Sequence, residues 1–268
     1  MLQARKIKRR SRLAKAALAF GSTVALTVGL AGSAAAAPNL SPLPWSATSF
    51  QTTFMPYFDY DSDGCFPASA IDMWGNVNGG LKPTGAVGGG CRTDHLANAN
   101  TYGRAKCNNG WCGILYGMYF EKDQVSPGIG HRHDWESVVV WVRQGASKPS
   151  YLAASRHGGF SVHPVNEVPM DGVHVKIVYH KDGAGSHAFR FAKWDERPEA
   201  WGPNGGWDTP ALVSWDHFPR SNDPSKNLQD LLNRKDWGDR VNCPVQDSKF
   251  NGELNKAKPG GIPFNPWA

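Results

Sequence analysis

Short apolar or alternating stretches recur along the chain, and clusters of Gly, Pro, Asp and Asn separate them. Stretches of this length between turn-forming residues are typical of β-strands, in which successive side chains point to opposite faces. Only residues 227–237 show helical spacing, with Leu228, Leu231 and Leu232 on one face. The pattern predicts strands at residues 113–120, 135–143, 151–154, 173–179, 188–192 and 211–215.

Many short strands and few helices favour a mainly β fold, an antiparallel β-sandwich with a few peripheral helices. The sequence contains no internal repeat and no long linker. We therefore expect one domain over residues 37–268. From Lys249 onward, several Pro and Gly residues predict an irregular segment that packs against the sheet.

The N-terminus has a composition of its own. Seven basic residues lie within the first 15 positions, an apolar stretch follows at residues 16–30, and an alanine-rich run ends near residue 37. This order is typical of a secretory signal peptide, which we place at residues 1–36. An uncleaved membrane anchor is the alternative, because about 20 residues of this composition could span a bilayer.

Composition and charge exclude several classes of protein. The 268 residues are 40% hydrophobic and 11% aromatic, which is unlike a coiled coil or a disordered chain. The net charge of +6 comes from the N-terminus, since residues 37–268 carry 22 basic and 23 acidic residues. Residues 37–268 contain no cluster of Lys and Arg that could bind a phosphate backbone, so we expect no nucleic-acid partner.

All five cysteines lie beyond residue 37, where export would allow disulfides to persist. Asn-Asn-Gly between Cys107 and Cys112 predicts a tight turn that closes a small loop. Turn signals also precede Cys65 and Cys91, which could close a longer loop. We therefore predict the pairs Cys65–Cys91 and Cys107–Cys112, with Cys243 free or intermolecular.

Acidic and imidazole side chains are concentrated just before the apolar stretch at residues 137–142. In a strand that begins near His133, Asp134 and Glu136 share one face. Like charges this close repel each other unless one is protonated or a cation lies between them. With Asp123 and His131 folded back toward the pair, the oxygen-rich set suits Mg²⁺, Ca²⁺ or Mn²⁺ better than zinc. A plain surface charge cluster is the alternative.

The same segment carries a family resemblance. It contains the heptapeptide Gly130-His131-Arg132-His133-Asp134-Trp135-Glu136. This heptapeptide is identical to the signature of the necrosis- and ethylene-inducing peptide-like proteins (NLPs), secreted cytolysins of plant-associated microbes, which the chain therefore resembles. The stretch at residues 113–124 resembles the other marked segment of that family, and the pair Cys107 and Cys112 resembles its type 2 subgroup.

The resemblance implies a β-sandwich similar to actinoporins and fungal lectins. It implies one divalent cation, Mg²⁺ or Ca²⁺, as cofactor. The implied ligands are Asp123, His131, Asp134 and Glu136, whereas Gly130, Arg132, His133 and Trp135 belong to the motif without a ligand role.

The resemblance also implies a function and partners. The expected target is the sugar headgroup of glycosylinositol phosphorylceramide sphingolipids in plant plasma membranes, with a plant immune receptor as a further partner. We expect a secreted monomer that damages membranes without catalysis. In toxic members a Trp four residues before a His engages the membrane; here residues 183–187 end in His187 and contain no aromatic.

Two other functions remain open from the sequence. A non-toxic, lectin-like binding module would keep the fold and lose lysis, and the missing loop aromatic favours it. A metal-dependent hydrolase would use the cation to activate water, with His133 or Glu136 moving protons.

Overall fold

The structure, a computed structural model, describes residues 39–183, 185–199 and 206–268. The predicted signal peptide at residues 1–36 lies outside these ranges, as does Ala184 in the predicted membrane loop. None of the helices described is long and apolar enough to cross a bilayer. In chain order the elements are α1 Ser49–Thr53, β1 Tyr57–Tyr60, β2 Asn100–Asn108, β3 Trp111–Ser126, β4 Ile129–Arg143, β5 Tyr151–Arg156, β6 Gly159–Pro164, β7 Met170–Asp171, β8 His174–Lys181, β9 His187–Phe191, β10 Ala211–Ser214, α2 Leu228–Arg234 and α3 Phe250–Ala257.

The strands form two sheets. The larger sheet has the order β10-β2-β3-β4-β5-β6, and the smaller has β8 at its centre, with β1 on one side and β7 and β9 on the other. Most neighbours are antiparallel, as predicted for the sandwich. The pairs β1–β8 and β10–β2 are parallel instead, and the long stretches of chain between their members provide the crossover that a parallel pair requires.

Two layers of apolar side chains cover the two faces of the larger sheet. Tyr116 and Phe120 of β3 pack toward Tyr179 and Phe189 of the smaller sheet. The other face, which includes Leu115, is covered by the C-terminal region with α2 and α3. The central strands are therefore buried on both sides, which explains why β3 reads as a nearly continuous apolar stretch.

All six predicted strands lie within or overlap observed strands, and the predicted helix at residues 227–237 corresponds to α2. The Asn227 side chain accepts a hydrogen bond from the backbone N–H of Asp230 and so caps that helix. The expectation of an irregular segment from Lys249 was wrong for residues 250–257, which form α3, and is confirmed for residues 258–268, where Ile262 and Phe264 are buried. Phe250 and Leu254 of α3 are buried against the larger sheet, so tertiary packing stabilises a helix that Gly252 disfavours.

Both predicted disulfides are present. Cys65–Cys91 closes a long loop, and Cys107–Cys112 joins directly paired residues of β2 and β3 next to their turn. Cys243 has a free thiol and is buried in the apolar layer of the C-terminal region. Its position in the interior excludes the intermolecular bridge that the sequence left open.

Candidate functional site

The hairpin of β3 and β4 brings the acidic residues to one end of the sandwich. Asp123 near the end of β3 pairs in register with His131 near the start of β4. Asp134 and Glu136 follow on β4, both buried, and alternation places them on one face as predicted. That face is the one turned toward the smaller sheet, since the Tyr179 hydroxyl of β8 donates a hydrogen bond to Asp134 Oδ2 at 3.0 Å.

Burial and mutual repulsion oppose ionisation of the carboxyl groups of Asp134 and Glu136. Burial, followed by the negative charge of Asp123, raises the pKa of Asp134 to about 7. Burial and the charge of Asp134 also raise the pKa of Glu136 well above its usual value, although the Ser155 hydroxyl of β5 hydrogen-bonds to it. The protein therefore holds carboxylates close together without enough positive charge to balance them.

Asp123 is fixed by His187, the first residue of β9. Asp123 Oδ1 accepts hydrogen bonds from the backbone N–H of His187 at 3.0 Å and pairs with its Nδ1 at 2.7 Å. The other ring nitrogen of His187 is 2.9 Å from the carbonyl oxygen of Asp63. Burial opposes protonation of His187, but the hydrogen bonds to Asp123 and Asp63 outweigh it and raise its pKa.

From the sequence we expected His187 to lie on a loop that contacts a lipid headgroup or the membrane. In the structure its side chain is buried and stacks on Tyr179, at 5.1 Å between ring centroids. A Cβ added at Gly64 would lie 2.8 Å from the His187 ring, so the loop before Cys65 packs closely against that ring. His187 is thus placed to position Asp123 from beneath the site.

His131 has one nitrogen available to a ligand. Its Nδ1 lies 2.8 Å from the carbonyl oxygen of His133, and a carbonyl can only accept, so Nδ1 carries the proton. In the neutral ring Nε2 carries the lone pair, and this nitrogen lies 3.6 Å from Asp123 Oδ2. This arrangement is typical of histidines that bind metals.

The side chains of Arg132 and His133 contact the loop at residues 79–80 and not the carboxylates. Arg132 donates from one guanidinium nitrogen to the carbonyls of Gly79 and Gly80, at 2.6 and 2.7 Å. The His133 ring lies 2.6 Å from the Tyr119 hydroxyl, and a Cβ at Gly80 would be 2.6 Å from it. Burial and nearby positive charges lower the pKa of His133 to about 4, so this ring is neutral. Both residues hold the loop at residues 79–80 against the sheet.

Gly130 and Trp135 have structural roles. Gly130 has φ +145°, and an added Cβ would lie 2.1 Å from the Asp123 carbonyl oxygen, so only glycine fits where the two strands approach. The Trp135 ring packs on Tyr102, Tyr119 and Trp237 at centroid distances of 5.4, 5.5 and 5.4 Å. The heptapeptide thus combines ligand candidates with residues that fix their geometry.

A cavity of about 770 Å³ opens above the four predicted ligands. One wall comes from the sheet, and the opposite wall comes from residues 239–256, which no sequence signal connected with the site. In the described residues, no three or more His, Cys, Asp or Glu side chains already converge as a group that could hold a metal ion. Besides the ligand candidates, the lining includes Ser155, His157, Ser186, Arg240, Asn242, Lys249 and Lys256.

Known proteins resemble this chain over most of its length. Residues 48–257 match the family described as Necrosis inducing protein (NPP1). "NLP effector protein 10" of Phytophthora capsici is 35% identical over 227 residues, covering 82% of this chain and 88% of that protein. "NLP effector protein 7" of the same organism is 35% identical over 202 residues, which cover 74% of this chain. The match spans only 58% of the length of effector protein 7.

Solved structures show the same fold. Necrosis and Ethylene inducing Protein 2 from the causal agent of cocoa's Witches Broom disease superposes with a TM-score of 0.68 at 32% identity, covering 82% of this chain and 95% of that one. NLPPya in complex with mannosamine gives a TM-score of 0.67 at 30% identity, with 82% and 96% coverage. The non-toxic HaNLP3 protein gives 0.67 at 27% identity, with 83% and 98% coverage.

Proposed function

Because the chain belongs to the necrosis-inducing protein (NPP1) family, we propose that it is a secreted, cation-dependent cytolysin. In this proposal it binds the glycan headgroup of plant plasma-membrane sphingolipids, the glycosylinositol phosphorylceramides, and damages the membrane. The observation that carries the proposal is the set of buried carboxylates beside the cavity, with the free Nε2 of His131 among them.

The donor set fits a hard divalent cation such as Mg²⁺ or Ca²⁺. Asp123, Asp134 and Glu136 offer oxygen atoms, and burial together with the neighbouring carboxylate charge raises the pKa values of Asp134 and Glu136. No three of the described His, Cys, Asp or Glu side chains converge on one point in this arrangement, so a cation would have to draw them closer, and water and ligand oxygens would complete its coordination. A bound cation would coordinate the hydroxyl groups of a sugar.

Neighbouring residues hold the three carboxylates in position for that binding. His187 and Gly130 fix Asp123, while Tyr179 and Ser155 hold Asp134 and Glu136 by hydrogen bonds. The cavity has room for more than one sugar ring, and polar groups line much of it. The amino-sugar complexes known for NLPPya support a glycan as the ligand class here.

Two alternatives differ in what they require of the site. The hydrolase would have His133 or Glu136 move protons, but His133 packs on Tyr119 and Trp237 away from the carboxylates, so only Glu136 faces the cavity. The non-toxic binding module keeps every contact described above. The absence of an aromatic at residues 183–187 favours it, and HaNLP3 is a non-toxic protein of similar fold.

Dye release from vesicles tests the proposal. We expect leakage from phosphatidylcholine vesicles that contain plant glycosylinositol phosphorylceramide, no leakage without that lipid, and loss of leakage in EDTA. Asp134→Asn should abolish the leakage, because it removes a charged ligand from the site. Asp171→Asn, exposed on β7, is the matched control and should behave as wild type.

The outcomes separate the candidates. Binding to the vesicles without leakage would favour the non-toxic module. Leakage that is insensitive to EDTA and to Asp134→Asn would contradict the cation site, and repeated release of free headgroup would support the hydrolase.

A further inference from the structure

The turn between β5 and β6 and the loop between β8 and β9 bring together a serine, a histidine and an aspartate. His157 Nε2 lies 2.8 Å from Asp182 Oδ2, and His157 Nδ1 lies 3.3 Å from the hydroxyl oxygen of Ser186. Both Ser186 and His157 line the cavity. The sequence pattern did not connect the three residues, because His157 and Ser186 are 29 positions apart.

The two hydrogen bonds fix the role of each imidazole nitrogen. A carboxylate can only accept, so in the neutral His157 ring Nε2 carries the proton and donates it to Asp182. Nδ1 then holds the lone pair and accepts from the Ser186 hydroxyl. A hydroxyl that donates to an imidazole, which in turn donates to a carboxylate, is the arrangement that activates a serine nucleophile.

Arg156 holds the carboxylate of Asp182 from the other side. Its Nε donates to Asp182 Oδ2 at 2.5 Å. This hydrogen bond is the main cause of a lowered pKa of Asp182, to which the hydrogen bond from His157 also contributes. The ionised carboxylate can therefore orient the imidazole and stabilise the positive charge that forms when Nδ1 takes a proton.

The two segments that carry these residues are fixed by backbone geometry and contact each other. His157 and Gly158, with φ +49° and +78°, form the two-residue turn between β5 and β6. In the other loop the Asp182 N–H donates to the Ser186 carbonyl at 3.1 Å. A Cβ added at Gly185 would lie 3.4 Å from His157 Cε1, so the loop packs on the imidazole. The nucleophile and its base are thus already oriented for reaction.

We propose that Ser186, His157 and Asp182 form a serine esterase site, with Ser186 as nucleophile, His157 as general base and Asp182 as positioning residue. Ser186 Oγ attacks the carbonyl carbon of a carboxylic ester while His157 Nδ1 takes the hydroxyl proton. The ester C–O bond breaks, and the alcohol leaves with that proton. Water then hydrolyses the acyl-serine, which releases a carboxylic acid and restores the hydroxyl group. The ester and water supply every atom, so the reaction needs no cofactor.

The position of Ser186 indicates the class of ester. Ser186 precedes His187, which fixes Asp123 beneath the proposed cation site, so the nucleophile lies beside the place where a sugar would bind. The substrate class that fits both sites is a sugar with an acyl ester, such as an acetate, on one of its hydroxyl groups. This choice of substrate rests on the proposed function, whereas the nucleophile and the base do not. A general base accelerates a reaction by about 10²–10⁴-fold, so we expect slow turnover.

A fluorophosphonate probe tests the nucleophile, because an activated serine oxygen displaces fluoride from phosphorus and peptide mass spectrometry locates the label. We expect label on Ser186 of the wild-type protein, with or without EDTA, and none at this position in Ser186→Ala. Labelling of His157→Gln should be about a hundredfold slower, since the base is lost. Ser248→Ala is the matched control: Ser248 is exposed and lines the same cavity, and the described residues include no histidine hydrogen-bonded to it. Its Ser186 should be labelled at the wild-type rate.

Asp182→Asn tests the positioning residue. An amide can donate to Nε2 and so favours the tautomer with the proton on Nδ1, which cannot accept from Ser186, and we expect labelling about tenfold slower or less. The double variant His157→Gln/Asp182→Asn should be no slower than His157→Gln, because Asp182 acts through the imidazole. Calorimetric titration with Ca²⁺ should give the wild-type affinity for Asp182→Asn. A further loss in the double variant would show a merely structural role and overturn the assignment of Asp182.

Hydrolysis of para-nitrophenyl acetate and of glucose pentaacetate by the wild-type protein separates the esterase from its substrate class. Absence of label on Ser186, or a rate that His157→Gln leaves unchanged, overturns the esterase site whatever the vesicles show. Hydrolysis of para-nitrophenyl acetate without release of acetate from the sugar ester overturns the substrate class alone. Label on Ser186 in a protein that neither binds nor permeabilises the vesicles overturns the proposed function and supports the esterase site.

Discussion

At the scale of single residues, a short segment carries two kinds of side chain in alternation. Asp134 and Glu136 face the smaller sheet, whereas His133 and Trp135 pack on Trp237 of the C-terminal layer. The sequence predicted this division correctly, because alternation is a local property of a strand. It did not predict that Tyr179 and Ser155 hold the carboxylates, since these come from other strands and have no spacing relation to the heptapeptide.

Gly130 offers a test at this scale. Gly130→Ala should lower the free energy of unfolding by about 2–4 kcal/mol, because its Cβ would overlap the Asp123 carbonyl oxygen and φ is positive. Gly128→Ala is the matched control: its φ is also positive, but nothing lies within 4 Å of an added Cβ, so we expect a loss of about 1 kcal/mol. Urea unfolding measures both, and equal losses would contradict the close approach of the strands.

At the scale of elements, the loop closed by Cys65–Cys91 connects the fold to the site. Arg132, Lys122 and Gln124 donate side-chain hydrogen bonds to carbonyl oxygens of this loop, at distances of 2.6 to 3.0 Å. Leu81 in the same loop donates its N–H to the Glu121 carbonyl at 2.8 Å. The motif residues beside the ligands therefore anchor a long loop that has little regular structure of its own.

Removal of each disulfide should have a different effect. Cys65→Ala/Cys91→Ala should cost about 3–4 kcal/mol and Cys107→Ala/Cys112→Ala about 2 kcal/mol, because the first bridge closes the longer loop. Only the first pair should weaken cation binding, since its loop supports Arg132 and His133. Thermal unfolding and calorimetric titration with Ca²⁺ measure the two effects. Equal loss of cation affinity in both variants would disprove the link between loop and site.

At the scale of the whole molecule, the site makes stability depend on pH and on the cation. The folded-state pKa of Asp134, about 7, and that of Glu136 lie above their unfolded values, so the folded state binds more protons than the unfolded state. Their contribution is therefore present at low pH and is lost as pH rises toward and through 7. His133 acts oppositely, since its folded pKa of about 4 lowers stability as pH falls below its unfolded value near 6.5.

Between about pH 6.5 and 8 the carboxyl groups and His187, whose pKa is also raised, change stability in the same direction, and His133 is largely neutral in both states. In EDTA we expect the melting temperature to fall across this range. The free energy of unfolding should decrease by up to about 1.4 kcal/mol per pH unit for each proton released. Excess Mg²⁺ or Ca²⁺ should oppose the fall, since the cation replaces the protons. A melting temperature in EDTA that stays constant or rises would contradict the clustering of these carboxylates.

The sequence by itself determined the strands at residues 113–120 and 135–143, the two disulfides and the shared face of Asp134 and Glu136. Each of these follows from spacing, alternation or turn chemistry among residues close in the chain. Only the tertiary structure decided that residues 250–257 form a helix, that His187 positions Asp123, and that residues 239–256 close the cavity. These features depend on contacts between residues far apart in the chain, such as the 64 positions between Asp123 and His187 and the 116 between Trp141 and Ala257, for which a single sequence contains no local pattern.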